Sequence, residues 1–222
     1  MTDEAQARAY ARADFEAAHS VYPKLFASLF PRRPRRALVL DIGCGPCDVT
    51  RRFARANPGY RFHAVDGSLA MLQFAPRHPR IQLLYGSIPN VKLPAKHYDV
   101  ILSSSLLHHL PDPQVLWQTV RRYSRPGTIL FVVDLRRPAN RAVAKSLVRR
   151  YSGGEPQVLQ RDFFNSLLAA FTVREVRQQL NAAGLRSLRV RSISDRHLVV
   201  FGWVPKSISP LARPRRDRRA SK

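Results

Sequence analysis

The chain has 222 residues, enough for one domain with extensions, and its 45% hydrophobic content can fill a core. No run of about 18 apolar residues occurs, MTDEAQARAYARADFEAA lacks a secretory apolar segment, and two cysteines make no disulfide framework, so a spanning helix and a disulfide scaffold are excluded and a cytoplasmic protein is expected. The formal charge of +23 rests on 32 Arg and 6 Lys spread end to end, a skew that fits either polyanion binding or GC-rich codon usage.

Residues 3–19 read as a helix that AHSVYPKLFASLF continues after the break at Pro23, and residues 1–30 are expected to form a helical cap. PRRPRR (31–36) is a basic linker. ALVLDI (37–42) is a continuous apolar run, the signature of a parallel strand covered on both faces. VTRRFARAN follows as a helix, YRFHAVD (60–66) as a strand, SLAMLQFA as a helix, and RIQLLYG (80–86) and YDVILSSS (98–105) as strands. A helix over 113–123 and the strand GTILFVVDL (127–135) complete the alternation.

Beyond Leu135 the pattern changes. Residues 138–170 read as a helical lid insertion with a break at SGGEP (152–156). TVREVRQQLNAAG (172–184) has a Thr cap, Glu175 three residues on, and a Gly stop. LRSLRVRSI and RHLVVFGWV form a terminal hairpin. Lys206–Lys222 carries seven Lys/Arg against one Asp and few apolar side chains, and is expected to be disordered. The fold class is thus α/β: a Rossmann-like, doubly wound, mostly parallel seven-stranded sheet with a C-terminal antiparallel hairpin and a helical cap, residues 31–205 forming the main domain.

In such sheets ligands sit beyond the carboxyl ends of the strands, so the first strand–helix loop, VLDIGCGPCDVT (39–50), is the place to look. Gly43 and Gly45 permit a tight turn and close approach of a ligand. Asp66 ends the second strand, where a carboxylate accepts hydrogen bonds from ribose hydroxyls. A dinucleotide fingerprint needs Gly at position 48, to rest a diphosphate on the helix N-terminus; Asp48 would repel it. Asp41 and Asp48 instead suit a cationic nucleoside, such as S-adenosylmethionine with its sulfonium and ammonium.

From residue 37 to 135 the chain resembles class I S-adenosylmethionine-dependent methyltransferases of the quinone-biosynthesis and small-molecule type. VLDIGCG resembles the cofactor loop, AVDGSLAML the ribose-binding strand end, GSIPN the adenine-side loop, YDVILSSSLLHHLPDP the fourth strand and its exit, and YSRPGTILFVVDL the fifth. The resemblance implies S-adenosyl-L-methionine as cofactor, held by Asp41, Gly43, Cys44, Gly45, Asp66, Gly67, Met71, Ser87, Ile88 and Ser103, with Tyr10 folding across from the N-terminal helix, where Asp14 shares its face. Two positions depart from the family: Cys47 replaces a glycine and is not expected to take a positive φ easily, and Ser87 replaces an aspartate.

Cys44-Gly45-Pro46-Cys47 also spells a thioredoxin-like dithiol, and Ile88-Pro89 invites the same comparison. The glycine before Cys44 and the NVKLPAKHY after Pro89 oppose it. A weaker expectation is that a CxxC at a helix start lowers a thiol pKa and that oxidation weakens cofactor binding.

Methyl transfer needs alignment first and a base only for a protonated acceptor. His108 and Asp134 are the candidate catalytic residues: His108 just after the fourth strand, Asp134 at the end of the fifth, the latter free to orient an acceptor, act as base, or pair with Arg136 or Arg137. Arg136 and Arg137 can alternatively clamp an anionic substrate, and DFFNSLLAAF (162–171) either walls the acceptor pocket or packs as an ordinary helix. Neither His108 nor His109 has metal-ligand spacing, and no metal is expected. The acceptor is expected to be a small molecule. RNA or protein reached through the basic surface and tail, a non-catalytic cofactor-binding protein, and a redox protein are the alternatives.

Overall fold

The computed structural model describes residues 19–205. Helix α1 (Val21–Leu29) leads into β1 (Ala37–Ile42), α2 (Asp48–Ala56), β2 (Tyr60–Asp66), the short α3 (Leu69–Leu72) and β3 (Ile81–Tyr85). Then come β4 (Val100–Ser104), a 3-10 turn (Leu107–His109), α4 (Gln114–Tyr123), β5 (Ile129–Leu135), α5 (Arg141–Ser152), α6 (Gln157–Ala169), α7 (Val173–Ala182), β6 (Arg189–Ser192) and β7 (His197–Trp203). One seven-stranded sheet has the order β3-β2-β1-β4-β5-β7-β6. β1 to β5 run parallel, while β7 is antiparallel to β5 and to β6. The doubly wound sheet and its terminal hairpin are as the sequence pattern predicts.

The apolar run of β1 has a direct cause. Successive strand residues face opposite sides, and here helices cover both. Leu40 and Ile42 join Trp117 and Val120 of α4 and Val176 and Leu180 of α7. Ala37 and Val39 join Phe26 of α1 and Phe53 of α2 on the other face. Phe26 stands edge-on to Phe53 and Phe131, with ring centroids 5.3 and 5.5 Å away. Trp117 is fully buried, and its indole N–H donates to Oε1 of Gln179 at 3.1 Å.

Helix α7 starts with the expected capping box, Thr172 and Glu175 each satisfying the other's backbone. It stops at Gly184, whose φ of 71° lets the Leu185 N–H return to the Leu180 carbonyl at 2.8 Å. The segment 68–75 differs from expectation. Ser68 caps it by accepting the Met71 N–H at 3.2 Å, but only Leu69–Leu72 is helical. Pro76 has no N–H to give the Leu72 carbonyl, and its ring would crowd it.

Helices α5 and α6, in the stretch expected as a lid, share a small cluster of their own with Leu135, Ala144, Leu147, Val148, Leu167 and Ala170 at its centre. Among the described residues no helix is long and apolar enough to cross a membrane. Most of the expected N-terminal cap, with Tyr10 and Asp14, and the tail 206–222 lie outside the described residues. Strand order reverses between β1 and β4, which are paired neighbours. The loop leaving β1 and the turn leaving β4 therefore flank one crevice.

Candidate active site

The chain leaves β1 through Gly43 (φ 74°) and Gly45 (φ 53°). The Gly43 and Cys44 N–H groups both donate to the Val65 carbonyl, at 2.8 and 3.1 Å, which ties the loop to the end of β2. Oδ2 of Asp66 accepts the Gly45 N–H at 2.8 Å and Oδ1 accepts the Ser68 N–H at 2.8 Å. Asp66 thus faces the mouth of the loop, and each oxygen keeps a lone pair for another donor. A Cβ on Gly43 would stand 2.8 Å from Cδ2 of Leu106, so this loop and the turn after β4 are in contact. Gly43→Ala is expected to lose about 2 kcal/mol, from the left-handed backbone and the clash together. Urea unfolding in a Leu106→Ala background should show a smaller loss; equal losses in the two backgrounds would rule out the contact as a cause.

Asp41, at the end of β1, is 1% exposed. The Thr50 hydroxyl donates to its Oδ2 at 2.6 Å, while Oδ1 is buried with no hydrogen-bond partner among the described residues. Burial pushes the carboxyl up to about 6, against the pull of Thr50 and helped by the charge of Asp66. At neutral pH this is an ionised, sealed carboxylate with one orphan oxygen, an arrangement that a cationic ligand group completes.

Asp48 does not share that role. Its carboxylate is engaged by Nδ1 of His19 at 2.8 Å and by Nε of Arg52 at 3.0 Å, which hold it down to about 2. Cys47 also departs from expectation, taking the left-handed conformation (φ 61°, ψ 25°) ahead of α2. Its side chain is 1% exposed and packs with Cys44, Ala64 and Leu72. Both cysteines are free thiols. The hydrogen bond to Cys47, and then burial, push the Cys44 thiol well up, opposite to the lowered pKa of a redox dithiol.

The other sequence candidates divide. Met71 is buried, and its Cε lies 3.6 Å from where a Gly45 Cβ would be, over the glycine loop. Gly67 permits the Ser87 loop to approach, since a Cβ there would meet Ser87 Oγ at 2.7 Å. Ser87 is exposed beside it, and Ile88 packs partly into the core. Ser103 is buried and spends its hydroxyl on the Ile42 carbonyl at 2.8 Å, a bond that joins β4 to β1. Sequence reasoning missed Thr50, His19 and Leu106. Thr50 carries a readable hint, nine residues after Asp41 in the first turn of the helix that follows; nothing local marks His19 or Leu106.

Asp134, 1% exposed at the end of β5, pairs with neither neighbouring arginine. Its Oδ2 accepts the Leu107 N–H at 2.8 Å, and its Oδ1 faces Nδ1 of His108 at 2.6 Å and accepts the Leu135 N–H at 2.8 Å. Arg137 binds both oxygens of Glu175 at 2.6 Å, and Arg136 donates to the Asp195 carbonyl at 2.8 Å, so neither forms the expected anion clamp. His108 is buried and His109 exposed, their rings 4.0 Å apart. Phe163 and Phe164 pack on the α5–α6 cluster, with Arg141 over Phe164 at 5.2 Å, and α6 also touches the 3-10 turn.

A family profile described as a methyltransferase domain matches residues 40–130. The malonyl-[acyl-carrier protein] O-methyltransferase of Halalkalibacterium halodurans is 35% identical over 101 residues, covering 42% of this chain and 37% of that protein. The trans-aconitate 2-methyltransferase of Mycobacterium ulcerans is 33% identical over 129 residues, covering 57% and 47%. A S-adenosylmethionine-dependent methyltransferase structure from Aquifex aeolicus superposes with a TM-score of 0.66 at 16% identity, over 92% of this chain and 100% of that one. Residues 40–130 match the methyltransferase-domain family, and the fold around them is that of S-adenosylmethionine-dependent methyltransferases. The match spans under half the length of either curated relative. Within the matched part of the chain lie Asp41, the glycine loop, Asp66, Ser87, Ser103 and His108; Asp134 falls just beyond it.

Proposed function

We propose that the chain transfers the methyl group of S-adenosylmethionine to a small-molecule acceptor. The orphan Oδ1 of Asp41 carries this reading. A sealed carboxylate oxygen beside a left-handed glycine loop asks for a positively charged group, and the methionine ammonium is one. Asp66 would hold the ribose, the backbone of Gly43 and Gly45 would let the nucleoside approach, Met71 would pack against it, and Ser87 and Ile88 would flank the adenine. Asp48, bound to His19 and Arg52, positions the start of α2 and leaves the ligand to Asp41 and Asp66. When bound, S-adenosylmethionine supplies an electrophilic methyl carbon on a sulfonium. The chain supplies alignment.

A small acceptor is supported by α6, which touches the turn after β4. The name of the trans-aconitate relative points the same way. The unpaired thiols in the loop suit a reducing compartment such as the cytoplasm. Titration with S-adenosylhomocysteine should give a one-to-one calorimetric isotherm, while NAD and ATP give no heat. No binding of S-adenosylhomocysteine or S-adenosylmethionine would sink the proposal. A nucleic-acid acceptor is the second reading, favoured by Arg51, Arg55 and Arg80 crowding His78 beside a surface groove that Arg77 helps to line. It predicts a steep loss of activity with salt, which a small neutral acceptor does not.

A further inference from the structure

We propose that the amino edge of the sheet, opposite the crevice, is a docking belt for the phosphodiester backbone of a single-stranded nucleic acid. The belt holds that strand without presenting it for methylation, so the proposal stands apart from the methyl-transfer reading above.

Topology lines up one side of the molecule. Strands β1 to β5 all begin at this edge, β7 ends there with Trp203 opposite Ile129, and β6 begins there with Arg189 opposite Phe201. Cations stand along the row of entries. Arg80 precedes β3, Arg35 and Arg36 precede β1, Lys96 and Arg125 lie in the loops before β4 and β5, and Arg189 opens β6. Across the seven strands, at about 4.8 Å a spacing, the belt is about 29 Å long.

The basic linker is fixed to this edge. Nε of Arg33 donates to Oδ1 of Asn57 at 3.2 Å, and the Tyr60 hydroxyl donates to the Pro34 carbonyl at 3.1 Å. The Arg35 carbonyl abuts Gly59 too closely for any Cβ there. Arg32, Arg35 and Arg36 are thereby held exposed.

Acids gather at the other end. Asp41, Asp66 and Asp134 lie at the ends of β1, β2 and β5, Asp48 starts α2, and Asp195 lies in the turn from β6 to β7. At the amino edge the acid among the described residues is Asp99, which Arg125 pairs at 2.7 Å. Among the described residues no ion pair reaches Arg32, Arg35, Arg36, Lys96 or Arg189. Codon usage sets how many arginines a chain carries, not where its acids sit. Unpaired guanidiniums side by side repel one another, and a bound polyanion removes that repulsion. Residues 206–222, with seven Lys/Arg against one Asp, continue from this same edge, where the Val204 N–H donates to the Thr128 carbonyl at 2.8 Å.

The arrangement also selects the polyanion. Guanidinium groups match phosphate oxygens in pairs, and a line of them follows a strand. A bilayer asks instead for apolar side chains to insert. Among the described residues Trp203, 48% exposed, is the one large exposed apolar side chain at this edge. Phe30 steadies its indole at 4.9 Å, and the exposed part is open to a stacked base. The groove lined by Arg77 and His78 lies at the β3 end of the belt. Parallel strands of five to seven residues put the crevice about 20 Å away. The belt therefore serves the nucleic-acid acceptor considered above only for a molecule long enough to reach round the domain.

Fluorescence anisotropy on the full chain tests this, with a labelled RNA of mixed sequence and about 12 nucleotides. The wild type should bind it at about 50 mM salt, with log K falling linearly with log salt. Arg32→Gln, Arg35→Gln and Arg36→Gln together should weaken binding about tenfold or more and lower the salt slope by about 2, since each phosphate contact on a single strand contributes about 0.7. Arg149→Gln, Arg150→Gln and Arg161→Gln remove the same charge from exposed positions on α5 and α6, which gather on Leu135 at the other end of β5. That triple variant should keep its affinity within about twofold and its slope unchanged. Trp203→Ala should weaken binding about tenfold at an unchanged slope. Calorimetry should give the same S-adenosylhomocysteine affinity with and without RNA. No binding at about 50 mM salt would overturn the proposal, as would equal losses in the two triple variants, which would leave net charge as the whole cause. Competition between RNA and S-adenosylhomocysteine would overturn the placement, and capture by phosphatidylglycerol vesicles in preference to RNA would reassign the belt to a membrane surface. RNA binding without any S-adenosylhomocysteine binding strikes the methyl-transfer reading alone.

Discussion

Asp41→Asn is expected to stabilise the ligand-free protein by about 2 kcal/mol at pH 8 and to weaken S-adenosylhomocysteine binding by about a hundredfold. The folded carboxyl titrates at about 6 instead of 3.8 because burial opposes its charge. A group whose pKa is raised on folding binds protons more tightly in the native state, so stability falls as pH rises through that window. Roughly two units at 1.36 kcal/mol each make the ionised form cost about 3 kcal/mol at pH 8 and nothing near pH 4. Asparagine removes the charge at nearly the same shape, though its amide N–H₂ needs an acceptor that Thr50 alone does not supply, which leaves about 2 kcal/mol. Urea unfolding at pH 8 should show the gain, and at pH 4, where the charge cost has almost gone and the amide cost of about 1 kcal/mol remains, the asparagine variant should be slightly the less stable. S-adenosylhomocysteine at about a hundred times its wild-type Kd should add about 2.7 kcal/mol to the wild type and only about 0.4 kcal/mol to the variant. An asparagine variant no more stable than the wild type at pH 8 would remove the strain, and with it the reason to place a cation beside Oδ1. The site is in this sense prepared at the expense of stability, as expected where a buried charge waits for its partner.

The parts of this architecture that were legible in the sequence are those set by local pattern. ALVLDI reads as a doubly covered strand because both of its faces are apolar, and Thr172 with Glu175 marks a helix start because the two residues solve one local problem. The glycine loop was legible because only positive φ satisfies the turn there. What sequence could not supply was the pairing of polar groups far apart in the chain. His19 and Asp48 are 29 residues apart, and His108 and Asp134 are 26 apart. For both aspartates the nearest candidate in sequence was the wrong partner or only part of the answer: Arg136 and Arg137 turn away from Asp134, and Arg52 shares Asp48 with a histidine from the other side of the loop. The 3-10 turn was missed because three residues leave no periodicity to read. Cys47 misled for a different reason, since its left-handed conformation costs about 1–2 kcal/mol and is imposed by the loop against the preference of the residue.

The largest loss of stability is expected for Asp134→Ala, about 4 kcal/mol in urea unfolding at pH 7. The carboxylate is sealed and receives the Leu107 and Leu135 N–H groups as well as His108 Nδ1. Alanine leaves all three donors facing a cavity too small to supply water to each, at about 1–3 kcal/mol apiece, partly offset because a buried charge also disappears. Asparagine keeps one accepting oxygen and should lose about half as much. His108→Gln should lose under about 1.5 kcal/mol, since Asp134 then retains both backbone donors. This ordering follows from which groups are left unpaired rather than from the size of the side chain removed. The damage should also travel. The 3-10 turn is anchored to β5 through Leu107, and Leu106 beside it closes on Gly43. Loosening the turn releases one wall of the cofactor loop, so Asp134→Ala should lose S-adenosylhomocysteine affinity about tenfold where His108→Gln does not. If Asp134→Ala unfolds within about 1 kcal/mol of the wild type, the carboxylate does not hold the turn, and the rigid placement of His108 goes with it.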